Sequence, residues 1–168
     1  MLGGGAAGAC AANLLASWGH SVRLITKPGV QRIAVSLPPS CAKLFDAIGV
    51  TAAIEDARFI RSSGNTVWWG TADARIESFA GGEHGWQLDV AGPEPVLRDA
   101  AITSGVAVDR QLIAAGARGF DDTTFVLDCT GRSGIIARAR NLRRYHAGPS
   151  TIALVGEWKG AFSTLADR

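Results

Sequence analysis

The stretch Gly3-Gly4-Gly5-Ala6-Ala7-Gly8 constrains this chain more than any other, because it leads straight into an apolar helix pattern and then a strand. In a loop of form GxGxxG the first glycine permits a tight turn out of a strand. The second lets the backbone approach a pyrophosphate, and the third lets the helix pack near the sheet. Those positions are Gly3, Gly5 and Gly8 here. Residues Ala7 to Trp18 are helix formers without proline and are apolar on most faces, which predicts a buried helix. Its first amides, around Ala6 and Ala7, and its positive dipole end are suited to an anion. Gly19-His20 is a helix stop, and Ser21 to Ile25 predicts a short strand closing at Lys27-Pro28-Gly29. Loop, helix and strand make most of a βαβ unit. Only Met1 and Leu2 stand where its first strand is expected. In a doubly wound sheet that strand is central, so a truncated first strand predicts unpaired edges on its neighbours.

With 168 residues, 47% hydrophobic and 19% charged, the chain suits one globular α/β domain and not a disordered one. A net charge of +2 is too small to point to nucleic acid or an anionic membrane. No apolar run is long enough to predict a membrane span. The segment Met1 to Trp18 lacks the basic start of a signal peptide, and glycines interrupt its apolar run. Cys10, Cys41 and Cys129 form no CxxC and are odd in number, so neither zinc nor a disulfide framework is expected, and a cytoplasmic location is. His20, His84 and His146 have no metal-ligand spacing, and no metal is expected.

Further along, Ser40 is placed to cap a helix through CAKLFDAIGV, and Thr51 to cap another reaching Ala57. Asn65 to Gly70 and Gly85 to Val90 predict strands, with a turn at Gly81-Gly82 between them. Pro93 begins a helix with Leu97, Ala100 and Ala101 on its apolar side, ending at Gly105, and Val106 to Val108 predicts a strand. Residues 111 to 122 carry no firm pattern. Phe125 to Asp128 predicts a buried strand running into a turn and helix at CTGRSGIIARAR, and Thr151 to Val155 predicts a last strand. Trp68, Trp69 and Trp86 are expected to pack mainly in the core, since successive strand residues point to opposite faces.

Three features bear on ligands. Thr26 stands where an acidic ribose ligand is usual and offers a weaker partner, while Lys27 beside it would tolerate a phosphorylated ribose. Asp128 suits a turn or a helix cap. Arg132, Arg138, Arg140, Arg143 and Arg144 occur with no acidic residue among them, as a solvated face or as a holder of anions.

GGGAAGACAANLLASWGHSVRLITK resembles the FAD-binding N-terminus of the flavoprotein oxidoreductases that include aromatic hydroxylases, geranylgeranyl reductases and flavin-dependent tryptophan halogenases. SLPPSCAKLFDAIGV, VWWG, GWQLDV, LDCTGRSGIIAR and RRYHAGPSTIALVGEW resemble later segments of the same family, in the same order. The resemblance implies an α/β, Rossmann-like FAD-binding domain over residues 1–168, in partial form. Within it, roughly residues 60–90 and 145–168 would contribute to a substrate-side β-sheet. FAD is the implied cofactor: Gly3, Gly5, Ala6, Ala7 and Gly8 would surround its pyrophosphate and Thr26-Lys27 flank its adenosine ribose. Asp128, Gly131 and Arg132 would lie near its flavin end. The implied chemistry is that of a monooxygenase or halogenase working through a flavin hydroperoxide, and no catalytic residue is assigned. The implied partners are a small organic substrate, aromatic in many relatives, and a flavin reductase or NAD(P)H as electron source.

Several positions depart from the family pattern. Ala34-Val35 stand where Gly-Glu is common, Lys43 falls in a helix pattern, Val90 replaces a frequent arginine, and the family's later Gly-Asp segment is not found. Two other readings stay open: a non-catalytic, truncated or degenerate flavoprotein fragment, and a small NADP-binding module resting on Lys27 and the arginine cluster.

Overall fold

The computed structural model describes residues 1–28, 35–88, 92–112, 120, 122–144, 148 and 152–156. Its helices are α1 (Ala6–Ser17), α2 (Cys41–Ala47), α3 (Thr51–Asp56), α4 (Glu94–Thr103) and α5 (Ile135–Ala139). Its strands are β1 (Arg23–Thr26), β2 (Val35–Leu37), β3 (Ile60–Ser62), β4 (Gly64–Val67), β5 (Arg75–Ser78), β6 (Gly85–Leu88) and β7 (Ala107–Arg110). The chain divides into two compact units, Met1–Val30 with Pro93–Ala153, and Gln31–Gly92 with Leu154–Arg168.

The first unit is built on parallel pairing. β1 pairs with β7 from Arg23↔Ala107 to Thr26↔Arg110, and Leu2 bridges in parallel to both Ile25 and Asp128. The order across the sheet is therefore residues 127–129, Met1–Gly3, β1, β7. Short as it is, Met1–Gly3 is bonded on both sides. Leu2 N–H donates to Leu127 O (2.9 Å) and Cys129 N–H to Leu2 O (2.7 Å). On the other side Gly3 N–H donates to Ile25 O (2.8 Å) and Ile25 N–H to Met1 O (2.9 Å). The terminal amine adds a bond to Arg23 O at 2.7 Å. Thus the edges that the sequence predicts to be unpaired are paired along these residues. Leu2 is a fully buried side chain.

α1 and α4 pack on one face of this sheet. Ala12 of α1 and Ala101 of α4 meet Leu24 and Val106, with Met1, Ala16, Val22 and Val108 around them. Small side chains at Ala12 and Ala101 let the helices come close. Where they meet, the Ser104 hydroxyl donates to Asn13 Oδ1 at 2.7 Å. α4 stops at Gly105, whose φ of +91° is available without strain only to glycine, and Val106 N–H closes the turn on Ala101 O.

The second unit is antiparallel. β6 lies between β2 and β3, and β4 pairs with β5 as a hairpin. Its core is Phe45, Val50, Ile54, Trp86 and Leu88. The Trp86 and Phe45 rings meet edge to face with centroids 5.3 Å apart and planes at 72°. Gly81 (φ +65°) and Gly82 (φ +73°) make the turn before β6.

Other expectations need correction. Phe125 to Asp128 is not a buried strand: only Asp128 forms a bridge, and Phe125, Val126 and Leu127 are exposed. The described register there is the single pair Leu2↔Asp128, and no described strand pairs with Phe125 or Val126. Ile152 to Val155 forms no strand and exposes Ile152, Leu154 and Val155; Thr151 lies outside the described residues. β4 ends at Val67, so Trp68 and Trp69 sit beyond the paired ladder and are exposed, and only Trp86 is core. Thr51 is the first residue of α3, after Val50 at the cap, and its hydroxyl donates to Asp46 instead. Ser40 occupies the cap position of α2 without a side-chain bond. Ala34, Val90 and most of residues 145–168 lie outside the described residues.

Candidate functional site

The glycine loop leaves the carboxyl end of Met1–Gly3, and the turn after Asp128 leaves the carboxyl end of the neighbouring parallel segment. The chain order reverses between these two strands, and in open α/β sheets that crevice is where ligands settle. Four glycines make the loop possible in different ways. Gly3 has φ +100°, and a Cβ there would lie 2.6 Å from the Cys129 carbonyl carbon and 2.9 Å from Thr130 N. A Cβ on Gly8 would overlap the Gly3 carbonyl oxygen and come within 3.2 Å of Cys129 Cβ. On Gly4 it would strike Thr26 Oγ1 at 2.5 Å. Gly5 differs: nothing lies within 4 Å of its Cβ position, so its outer side is open to a ligand's close approach. Gly5 is also the cap residue of α1, no side chain caps that helix, and Ala6 and Ala7 are exposed. The first turn of α1 therefore presents uncapped amides and the positive end of the helix.

Asp128 is committed to backbone. Its Oδ1 accepts from the Thr130 amide (3.1 Å) and hydroxyl (2.5 Å), and its Oδ2 accepts from the amides of Ile136 (2.9 Å) and Ala137 (3.2 Å). The carboxylate thus holds the turn and caps α5. Burial pushes its pKa up, but the bonds from the Thr130 hydroxyl and amide and from Ala137 and Ile136 outweigh that. The net effect holds the carboxyl below its ordinary value. Thr130 completes the lock, its hydroxyl accepting from Ile135 N–H at 3.0 Å.

Gly131 has φ +60° and is exposed with Arg132 at the rim of this turn; Gly134 (φ +47°) ends it. Thr26 is buried under the loop against Gly4, and its hydroxyl donates weakly to Lys27 O at 3.4 Å. Its side chain is packed inward, whereas Lys27 is exposed beside it. The structure therefore brings the glycine loop, Thr26 and the Asp128–Arg132 turn together from three distant parts of the chain.

Sequence reasoning passed over three residues of this junction. Gly4 is the contact to Thr26, Cys129 fills the space between Gly3 and Gly8, and Thr130 locks Asp128. An Asp followed two residues later by Thr is an available signal for the last. Burial raises the Cys129 thiol's pKa; the nearby terminal amine opposes this and Asp128 adds to it, so it stays a thiol at neutral pH. Among the described residues no group of His, Cys, Asp or Glu is arranged to hold a metal ion. No described helix is long and apolar enough to cross a membrane.

Neither a family model nor a curated protein sequence matches the chain. Solved structures do. The myxobacterial chondrochloren halogenase CndH, a variant of FAD-dependent halogenases, is similar with 22% identity and a TM-score of 0.59, over 70% of this chain and 30% of that one. The flavin-dependent halogenase CmlS is similar with 23% identity and a TM-score of 0.55, over 65% and 21%. A flavoprotein/dehydrogenase from Cytophaga hutchinsonii shows 23% identity and a TM-score of 0.54, over 68% and 32%. The match thus spans between 21% and 32% of the length of these structures. At such identities the likeness is one of fold, and that fold is the Rossmann-like α/β architecture of the FAD-dependent halogenases.

Proposed function

We infer that this chain carries the FAD-binding part of an FAD-dependent oxidoreductase of the monooxygenase or halogenase-like type. The observation that supports it most is Gly5. It stands at the uncapped start of α1 with open space on its outer side, at the switch point of a parallel sheet whose fold is shared with flavoproteins. A dinucleotide pyrophosphate needs that combination of bare backbone, free amides and room.

In this reading the amides around Gly5, Ala6 and Ala7 bind the pyrophosphate, while Gly3 and Gly8 allow the loop to sit that tightly. Lys27 lies on the ribose side. Thr26, packed under Gly4, shapes the loop from below more than it presents a hydroxyl to the ligand. Gly131 and Arg132 line the flavin side of the crevice, and Asp128 acts through the turn it holds. When bound, the flavin supplies the redox chemistry, and the protein supplies position and electrostatics. A small organic substrate, with an aromatic one as the first class to try, and electrons from a flavin reductase or NAD(P)H complete the proposal, in a cytoplasmic setting. Residues 60–90 and 145–168 are proposed as contributors to a substrate-side sheet.

Purified chain incubated with FAD and freed of excess ligand is expected to be yellow, to bleach with dithionite, and to melt higher than the apo form, since a ligand of the folded state alone stabilises it. Protein that stays colourless and shows no thermal shift with FAD would support the non-catalytic alternative.

A further inference from the structure

The hairpin of the second unit is a two-stranded ribbon, and among the described residues β5 pairs with β4 alone. All of β5, Arg75–Ser78, is exposed, including Ile76 at 60%. A ribbon of two strands is marginal in water by itself, and its open edge is a template for a further strand.

The register fixes which backbone groups face that edge. One step before Gly64↔Ser78, Phe79 N–H donates to Ser63 O at 2.8 Å. Antiparallel pairs alternate between hydrogen-bonded and non-hydrogen-bonded. By that alternation Asn65↔Glu77 and Val67↔Arg75 are bonded pairs, and Thr66↔Ile76 is not. The N–H and C=O of Ile76 therefore point away from β4, toward the open edge. Arg75 and Glu77 share one face, where their side chains meet at 2.7 Å, and the Ile76 side chain lies on the other.

About Ile76 the strand is complementary to itself. Let two copies of β5 run antiparallel about a two-fold axis through Ile76. The outward groups of the two Ile76 residues then bond to each other, and Arg75 of each copy stands opposite Glu77 of the other. That position is a non-hydrogen-bonded pair, where side chains approach most closely. The contact within one chain does not use up either charge. The two side chains are 69% and 48% exposed, and a guanidinium and a carboxylate each serve more than one partner. On the opposite face the two Ile76 side chains lie together. Other described strands of this unit lack the property: β2 and β4 carry no charge, and a two-fold centred on β3 sets Arg61 against itself.

We propose that the outer edge of β5 is a homodimer interface, on which a second copy of this chain lays its own β5 antiparallel. The two hairpins then form one sheet in the order β4-β5-β5-β4, with Arg75 of each copy paired to Glu77 of the other. Such an isologous contact closes at two copies. The edge is short, so the dimer is a weak one that builds up with concentration. It uses no residue of the proposed FAD site.

The test is sedimentation velocity of the full chain over a concentration series. Wild type is expected to pass from monomer to dimer, and less readily as salt rises. Arg75→Glu alone, or Glu77→Arg alone, sets like charges opposite each other at both symmetry-related pairs and should weaken association about tenfold or more. An equimolar mixture of these two variants restores opposite charges at both pairs and is expected to dimerise about as tightly as wild type. Ile76→Pro serves if the charge variants melt early. It removes the outward N–H, leaves the bonds to β4 in place, and should abolish the dimer. Wild type that stays monomeric at its highest soluble concentration overturns the proposal. So does a mixture that stays monomeric, association unchanged in all three variants, or open-ended assembly in place of a dimer.

Discussion

Leu2 lies within the parallel sheet and Phe125 just before the segment that pairs with it at Asp128, and they end up in opposite surroundings. Leu2 is 1% exposed and Phe125 is 81% exposed. By residue type the longer run, Phe125-Val126-Leu127, has the greater claim to burial. What differs is the company: Leu2 has bonded backbone on both sides, at Ile25 and Asp128, whereas Phe125 lies beyond the last register pair. Apolar character makes burial favourable, but neighbours on both faces and both edges make it possible. The same lesson holds at Trp86 and Trp69. The first is covered by Phe45 within β6, and the second stands past the end of β4, 86% exposed.

The largest expected effect comes from breaking the junction that joins the two segments. Gly8→Ala puts a methyl group into the Gly3 carbonyl and against Cys129. It should cost about 3 kcal/mol or more, as strained core substitutions do, and abolish FAD uptake. Chemical denaturation and the visible spectrum check both. Next comes the contrast itself. Leu2→Ala should cost about 2–5 kcal/mol as a buried leucine truncation, and Phe125→Ala less than about 0.5 kcal/mol as a surface change. Equal urea midpoints for the two variants would sink this account of the sheet.

The smallest effect concerns Asp128. Asp128→Ala removes the cap of α5 and should cost about 1 kcal/mol. The carboxyl is held below its ordinary value in the fold, so its contribution is complete above the unfolded carboxylate range. It is lost as pH falls through the lowered folded value. Denaturation midpoints of wild type and Asp128→Asn should therefore converge as the pH is lowered below the ordinary carboxylate range, and a constant gap would refute that role.

Much of the first unit was legible in the chain. The run from Gly3 to Thr26 predicted loop, helix and strand within a residue or two of α1 and β1, because glycine spacing, alanine-rich apolarity and the Gly19 stop are local signals. The helices after Ser40, Thr51 and Pro93 were legible for the same reason. The failures cluster where the deciding contact is remote. Phe125–Asp128 and Ile152–Val155 have strand composition, and composition carries no information about whether a partner strand lies alongside. The packing of Thr26 under Gly4, with its side chain turned into the protein, is likewise a contact that no local pattern announces. Asp128 was legible as a capping residue, yet that it reaches Ile136 and Ala137 depends on the turn through Gly131 and Gly134.

By itself, the sequence determined which residues can make a bare-backbone turn before a helix, since only glycine tolerates the dihedral at Gly3 and the close approach at Gly8. It also determined the order of the elements around that turn. Tertiary structure alone decided that Met1–Gly3, a mere three residues, takes the place between β1 and residues 127–129. It likewise decided that Gly5 faces open space while Gly4 and Gly8 face protein. Those outcomes rest on hydrogen bonds and packing between segments that are separate in the chain, as in Leu2 with Asp128 and Gly4 with Thr26, and no local pattern of side chains encodes them.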